Sequence, residues 1–306
     1  NYDCYSTYNN FRIISSQECV LENCTDNFAS HAFNITYSSG GIPSIRCKIR
    51  NCRAVNSVWA GVIAQQCTPW SELAGNTVER SGQGVLAGCR GSKIMNNTVS
   101  THLPFSTDYY YTRIARGGTV GVAVFEGYAR DCEIRGNRVE NFYTGIAVLD
   151  GYEELNVFDR VDAVIADNTV RNCIHGFYHY RNSYNTARGA MHVTLSGNVL
   201  NGAGDSVSAG GKQWETYGIR LSDCCGEYAI RSNATDGFRY GAALGRMPDY
   251  MTLDANRFSN GRYGIFLDDL SGTGETGDIH LHDSDNIFSS ILIPRQGLDQ
   301  ACVKNY

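Results

Sequence analysis

Six charged residues recur at one position of this sequence. Glu126, Asp150, Arg181, Asp223, Arg246 and Asp269 each stand five residues after a Gly. Two carboxylates held close together can supply an acid and a base, or an acid and a nucleophile. Crowding also raises the pKa of one of them, leaving a proton donor near neutral pH. Glu126 is assigned as the acid and Asp150 as its partner. Asp223 and Asp269, with Arg246 between them, form the second pair, and Asp268 is a spare. The alternative reading is a solvated turn column, where Asp is common in any case.

Candidate binding residues gather next to this column. Two positions after the same Gly residues come Ala123, Ala147, Tyr178, Arg220, Ala243 and Phe266, and Tyr180 stands at position four. Trp214 and Glu215 lie in a further stretch, residues 202–216, that interrupts the pattern. Aromatic faces suit apolar ring surfaces, and Arg181, Arg220 and Arg246 suit an acidic group. Residues 171–192 hold Arg171, Arg181 and Arg188 with His175, His179 and His192 and no Asp or Glu, which fits the same role. Packing of these aromatics onto the body of the protein is the other reading. His179 falls at an inward position and reads as a core histidine.

Other chemistries find little support. There is no Gly-x-Ser-x-Gly elbow, no phosphate-binding Gly-rich motif and no CxxC pair. No cofactor and no metal is expected, and His280-x-His282-Asp283-x-Asp285 reads as a solvated edge. With 26 basic and 31 acidic residues the net charge is −5, which offers no general attraction to nucleic acid or anionic membrane. No apolar run approaches the roughly 18 residues of a membrane span, so no membrane insertion is expected.

The elements that position these residues come from a repeat. Gly136-Asn137-Arg138-Val139-Glu140-Asn141 is echoed by Asp167-Asn168-Thr169-Val170-Arg171-Asn172 and by Ala255-Asn256-Arg257-Phe258-Ser259-Asn260. The marker Asn recurs at 76, 97, 137, 168, 198, 233, 256 and 286, with Cys19 and Cys47 assigned to the same column at the start. Eight residues after many markers a Gly opens a short apolar strand, as in Gly145-Ile146-Ala147-Val148. Steps as short as 21 residues are too small for a propeller blade and fit one coil of a three-sided parallel β-helix. Asn at a fixed turn can take left-handed backbone and bond the Asn of the next coil. The 33 Gly and 5 Pro fit a chain of tight turns. The length suggests two domains at first. The repeat replaces that with one all-β solenoid of about ten coils, residues 1–290, and a C-terminal tail, residues 291–306. Adjacent coils would place carboxylates about 5 Å apart, and coils one apart about 10 Å. Retaining glycosidases need roughly 5–5.5 Å and inverting ones roughly 6.5–9.5 Å.

This frame resembles the pectin-lyase-like right-handed parallel β-helix superfamily over about residues 15–290. The resemblance implies a right-handed parallel β-helix with loop insertions. It also implies carbohydrate chemistry, in a superfamily of lyases, hydrolases, epimerases and esterases. Asp268-Asp269 and Ile174-His175-Gly176 match parts of the pectinase-like hydrolase signatures, whose full set is absent, as is the Asp-Pro-His of alginate epimerases. The chain starts without Met, shows no amphipathic cap in residues 1–15, and reads as an excised solenoid. In architecture it looks like the central domain of a bacteriophage tailspike. That likeness implies a homotrimer, a bacterial surface polysaccharide as substrate, and a virion location after assembly in host cytoplasm, with secretion as the alternative. Hydrolysis is the first expectation. Elimination by a lyase using Arg181, Arg220, Arg246, His175 and Tyr178 is the second, and a non-catalytic binding module the third. Most of the 12 Cys are expected to be buried free thiols, because stacked parallel positions do not meet disulfide geometry.

Overall fold

A computed structural model describes residues 9–37, 41–65, 68–102, 118–125, 130–149, 161–180, 191–209, 212–222, 226–245, 250–267, 280–296 and 302–304. Every regular element among them is a β-strand. Apart from one hairpin, all strand pairs are parallel, and each strand pairs with its counterpart one coil away. The chain is a right-handed parallel β-helix.

Three strands per coil build three faces. The first face contains Val20–Glu22, Lys48–Arg50, Glu72–Ala74 and Lys93–Met95 and continues to Cys302–Lys304. The second contains Thr25–Asn27, Arg53–Val55, Thr77–Glu79 and Thr98–Ser100. The third contains His31–Thr36, Ala60–Ala64, Gln83–Ala87, Val120–Phe125, Thr144–Leu149, His175–Tyr180 and Tyr217–Ser222. The strands Arg257–Leu267 and Ile287–Gln296 run from the second face into the third, joining the two as one sheet. The last two strands, Ile287–Gln296 and Cys302–Lys304, pair in register with the coil before.

The core is a set of in-register columns. Ile49, Leu73, Ile94, Ile134 and Ile165 stack from the first face. Val78, Val99, Val139, Val170 and Leu200 stack from the second. From the third come the pairs expected to face inward, Val122/Val124, Ile146/Val148, Phe177/His179, Ile219/Leu221, Ala242/Leu244 and Ile265/Leu267, and all are buried. His179 is a core histidine, its Nδ1 2.5 Å from the hydroxyl of buried Tyr228.

One polar column crosses this apolar interior. The amide of each marker from Asn97 to Asn256 is fully bonded. In Asn137, Nδ2 donates to Ile94 O and to Asn168 Oδ1, both at 2.9 Å. Its Oδ1 accepts from the Asn97 backbone N and Asn97 Nδ2, again at 2.9 Å. The two donors and two lone pairs of a carboxamide are thereby used. The same pattern runs from Asn76 to Asn286.

Two details of the sequence reading change. The left-handed residue is the one before each ladder position, not the Asn itself. Asn23, Asn51, Gly75, Asn96, Gly136, Asp167, Gly197, Ser232, Ala255 and Asp285 all have positive φ. The turn residue bends the chain, which frees the next side chain to point inward. The thiols in the ladder column are Cys24 and Cys52, not Cys19 and Cys47: the Cys52 backbone N donates to Asn76 Oδ1 at 3.0 Å. Spacing misled here because Cys47 precedes Cys52 by the same five residues that separate Asn168 from Cys173. Cys47 instead sits before the first-face strand, where Lys48 pairs with Glu72, in the column of Ser71 and Ser92. Cys19, Cys24, Cys47, Cys52, Cys89, Cys132 and Cys173 form no disulfide; Cys47, Cys52, Cys89, Cys132 and Cys173 are buried, and Cys19 is exposed. Burial pushes the Cys132 and Cys173 thiols up to about 12. Cys4, Cys67, Cys224 and Cys225 lie outside the described residues.

The ladder makes a direct prediction. Asn168→Ala removes the acceptor of Asn137 N and Nδ2 and the donor to Ile134 O. Buried groups left unpaired cost about 1–3 kcal/mol each, so with three bonds lost the variant should lose at least about 3 kcal/mol. Denaturant unfolding measures this, and a variant as stable as the parent would remove the ladder from the stability account.

Candidate functional site

The outer side of the third face holds the candidate site. Its geometry depends on a glycine column. A Cβ on Gly145 would lie 2.3 Å from Val170 Cγ1 and 2.9 Å from Gly176 O. A Cβ on Gly176 would lie 2.6 Å from Gly218 O and 3.1 Å from Leu200. Only a residue without a side chain fits where the second face turns into the third. At this corner strict alternation fails. The residue before the Gly and the residue two after it both point outward, so His175 and Tyr178 meet with ring centroids 4.6 Å apart.

Two outward columns result. One reads Thr144, His175, Tyr217, Tyr240 and Tyr263, and the other reads Ala147, Tyr178, Arg220, Ala243 and Phe266, each in register. The position-two column lies outside the main core, as its alternation predicts. It is less open than a solvent-facing column, because Ala123, Ala147, Tyr178 and Ala243 are buried. Ala60, Leu86, Val120, Ala123 and Ala147 with Ile63 form a second, smaller apolar cluster on this side.

Toward the C-terminal coils the strip becomes aromatic and charged. Tyr217, Tyr240 and Tyr263 stack face to face, with centroids 4.8 and 4.9 Å apart and planes within 9° and 8°. Phe266 packs on Tyr240 and Tyr263 at 5.0 and 5.3 Å. At the other end Tyr143 meets His175 at 4.9 Å and Trp214 at 5.2 Å, both edge-on. Trp214 comes from the hairpin Ser206–Ala209 and Lys212–Glu215, which forms within the insertion at 202–216. Of the residues expected to bind substrate, Tyr178, Arg220, Trp214 and Phe266 belong to this strip. Tyr180 ends the strand beside them, and Arg181 and Arg246 lie outside the described residues.

The charged groups are organised around Glu215 and His175. Glu215 accepts from the Tyr217 hydroxyl at 3.1 Å and the Tyr240 hydroxyl at 3.5 Å, and pairs with Arg239 at 3.3 Å. Burial pushes the Tyr217 hydroxyl upward, so it remains a donor. His175 is 1% exposed. Arg220 Nη1 lies 3.3 Å from its Nε2, and a guanidinium can only donate, so Nε2 accepts. The ring is therefore neutral, with its proton on Nδ1, 3.4 Å from Thr144 Oγ1. Burial first, and the Arg220 charge second, hold its pKa well below the ordinary histidine value.

All four expected catalytic carboxylates, Glu126, Asp150, Asp223 and Asp269, lie outside the described residues. The strands leading to the first three are in register, with Phe125 paired to Leu149, Leu149 to Tyr180 and Tyr180 to Ser222. Among the described residues no group of three His, Cys, Asp or Glu is placed to hold a metal ion. Asp283, from the His-rich run near the C-terminus, instead accepts from Asn286 and Arg295 at 2.6 Å each. Sequence reasoning missed Tyr143, Thr144, Tyr240, Tyr263 and Arg239 as members of the strip. The signal was present, since Thr, His, Tyr, Tyr and Tyr stand directly before Gly145, Gly176, Gly218, Gly241 and Gly264.

The neutral state of His175 sets a pH dependence. Below about pH 6.5 the unfolded chain binds a proton that the native ring refuses, so stability present above that pH falls on acidification. Replacing His175 by Gln should flatten unfolding free energy against pH from about 6.5 downward. Identical slopes for parent and variant would show that the ring protonates in place.

No protein-family model matches the sequence, and no curated protein matches it. Several solved structures do match. The catalytic domain of GH87 alpha-1,3-glucanase in complex with nigerose is 14% identical, with a TM-score of 0.52 over 96% of this chain and 58% of that one. A variant of such a domain with nigerose gives 13% identity and a TM-score of 0.53, covering 96% and 62%. Another with tetrasaccharides gives 15% and 0.50, covering 92% and 53%. The chain thus spans 53–62% of the length of these domains. At such identities the likeness is one of fold, and the chain shares the parallel β-helix architecture of these glucanase domains.

Proposed function

We propose that the chain is an endo-acting polysaccharide depolymerase that hydrolyses a bacterial surface polysaccharide, capsule or O-antigen, laid along the third face. One observation carries the reading. Ring contacts run without a break from Trp214 through Tyr143, His175, Tyr217 and Tyr240 to Phe266, on the outer wall of consecutive coils. Half-buried Trp214, Tyr217, Tyr263 and Phe266, with Tyr143, His175 and Tyr240 buried in the same row and half-buried Arg220 and Arg239 beside them, suit a polymer of pyranose rings, which carry apolar C–H faces and a rim of hydroxyls. The structurally similar domains are named as glucanases and were solved with nigerose or tetrasaccharides, which supports the same class of ligand here.

In this reading Glu126 protonates the glycosidic oxygen and Asp150 acts on the anomeric carbon, directly or through water. General acid–base groups contribute about 10²–10⁴-fold, so Glu126→Gln and Asp150→Asn should each cut turnover by that factor. Chain length of the polysaccharide, followed by size-exclusion chromatography, reports it. Unchanged turnover in both variants would remove this pair and transfer the roles to Asp223 and Asp269.

A lyase is the second reading, favoured by the Arg220 guanidinium over Tyr178 and Tyr217 on the strip, a cation suited to neutralising a uronate. Ultraviolet absorbance of an unsaturated product would establish elimination and exclude hydrolysis. The tailspike setting belongs to the same proposal. It predicts a solution mass of three 33.7-kDa chains by light scattering, and a monomer would remove it.

A further inference from the structure

Arg220 carries a charge that no carboxylate answers among the described residues. Its guanidinium carbon lies 4.5 Å from the ring centre of Tyr217 and 5.3 Å from that of Tyr178. Its Nη1 bonds to the neutral His175. The nearby carboxylate, Glu215, is taken by Arg239 and two Tyr hydroxyls. Elsewhere on the solenoid Arg side chains find acidic partners one coil away: Arg50 with Glu72, Arg53 with Glu79, Arg135 with Asp167. Arg220 is thus a half-buried cation clamped between two aromatic rings, with one of its five N–H groups used among the described residues and the planar fork held in place.

Such a fork is matched by an anion with two oxygens side by side. We propose that Arg220 is an anion-binding point on the strip and that the polymer bound there is acidic, with the charged group of a sugar seated on the guanidinium. Uronate and sugar phosphate share this chemistry. His175 is a positioning residue: it lies under the guanidinium, accepts one N–H, and is too buried to reach the sugar itself. Tyr178 and Tyr217 restrict the guanidinium to one plane. This inference rests on the reading of the strip as a carbohydrate site.

The test is binding of the whole chain to an array of acidic and neutral bacterial surface glycans. Each acidic glycan is paired with a carboxyl-reduced copy and, where it carries phosphate, a dephosphorylated copy. Parent protein should bind acidic members, and the copy lacking the anion should bind about ten-fold more weakly. Loss on carboxyl reduction identifies a uronate, and loss on dephosphorylation a sugar phosphate. Arg220→Gln should abolish the preference at an unchanged melting temperature, while Arg220→Lys keeps part of it. His175→Phe should weaken the preference, and His175→Gln, whose amide oxygen can accept, should restore it. Binding to neutral glycans, or binding that survives removal of the anion, would overturn the inference and leave the carbohydrate reading standing. An unchanged preference in Arg220→Gln would remove Arg220 from the role. Failure to bind any glycan would overturn both readings.

Discussion

A buried carboxamide handed from coil to coil is the interaction on which this molecule depends. A parallel β-helix stacks strands that are far apart in sequence, so little in the local chain fixes the register of one coil on the next. The Asn ladder does fix it. Each buried amide must find partners for both its donors and both its lone pairs within the protein, and only one register provides them. The apolar columns then fall into line on either side: Ile and Leu from the first face, Val from the second. A register error of one residue would turn these side chains outward.

The candidate site follows from that register. His175 meets Thr144 and Tyr217 because they are ladder neighbours on successive coils, and Tyr178 meets Arg220 for the same reason. The Gly second in these third-face strands turns two residues of one strand toward the same side. That corner doubles the side chains presented per coil and allows the aromatic column and the Arg column to interlock. The neutral imidazole, the clamped guanidinium and the stacked tyrosines are consequences of stacking, each group supplied by a different coil.

Much of this was legible in the residues. The Asn-x-Val frame revealed the coil, and the Gly-Ile-x-Val pattern placed Ile146 and Val148 inside. Tyr178, Arg220 and Phe266 are legible because an outward column with aromatics and Arg stands out against alternating Ala, and Trp214 because it falls in the stretch 202–216 that interrupts the repeat. The residues before the Gly were missed because period-two alternation, counted through the corner, turns them inward. The displaced Cys24 and Cys52 were missed because a thiol cannot accept the two hydrogen bonds that identify a ladder residue, so only the backbone bond from Cys52 to Asn76 reveals the column. The four expected carboxylates, Glu126, Asp150, Asp223 and Asp269, share a position in the repeat of the sequence and lie outside the described residues.

The distance along the chain between one ladder Asn and the next varies from 21 to 40 residues, while the bond joining them stays between 2.8 and 3.1 Å. The core therefore does not register how much chain leaves and re-enters at each corner. Extra length can be spliced in between the strands of one coil without altering the ladder contacts of its neighbours. Such a scaffold can change what it recognises, one corner at a time, at nearly constant stability.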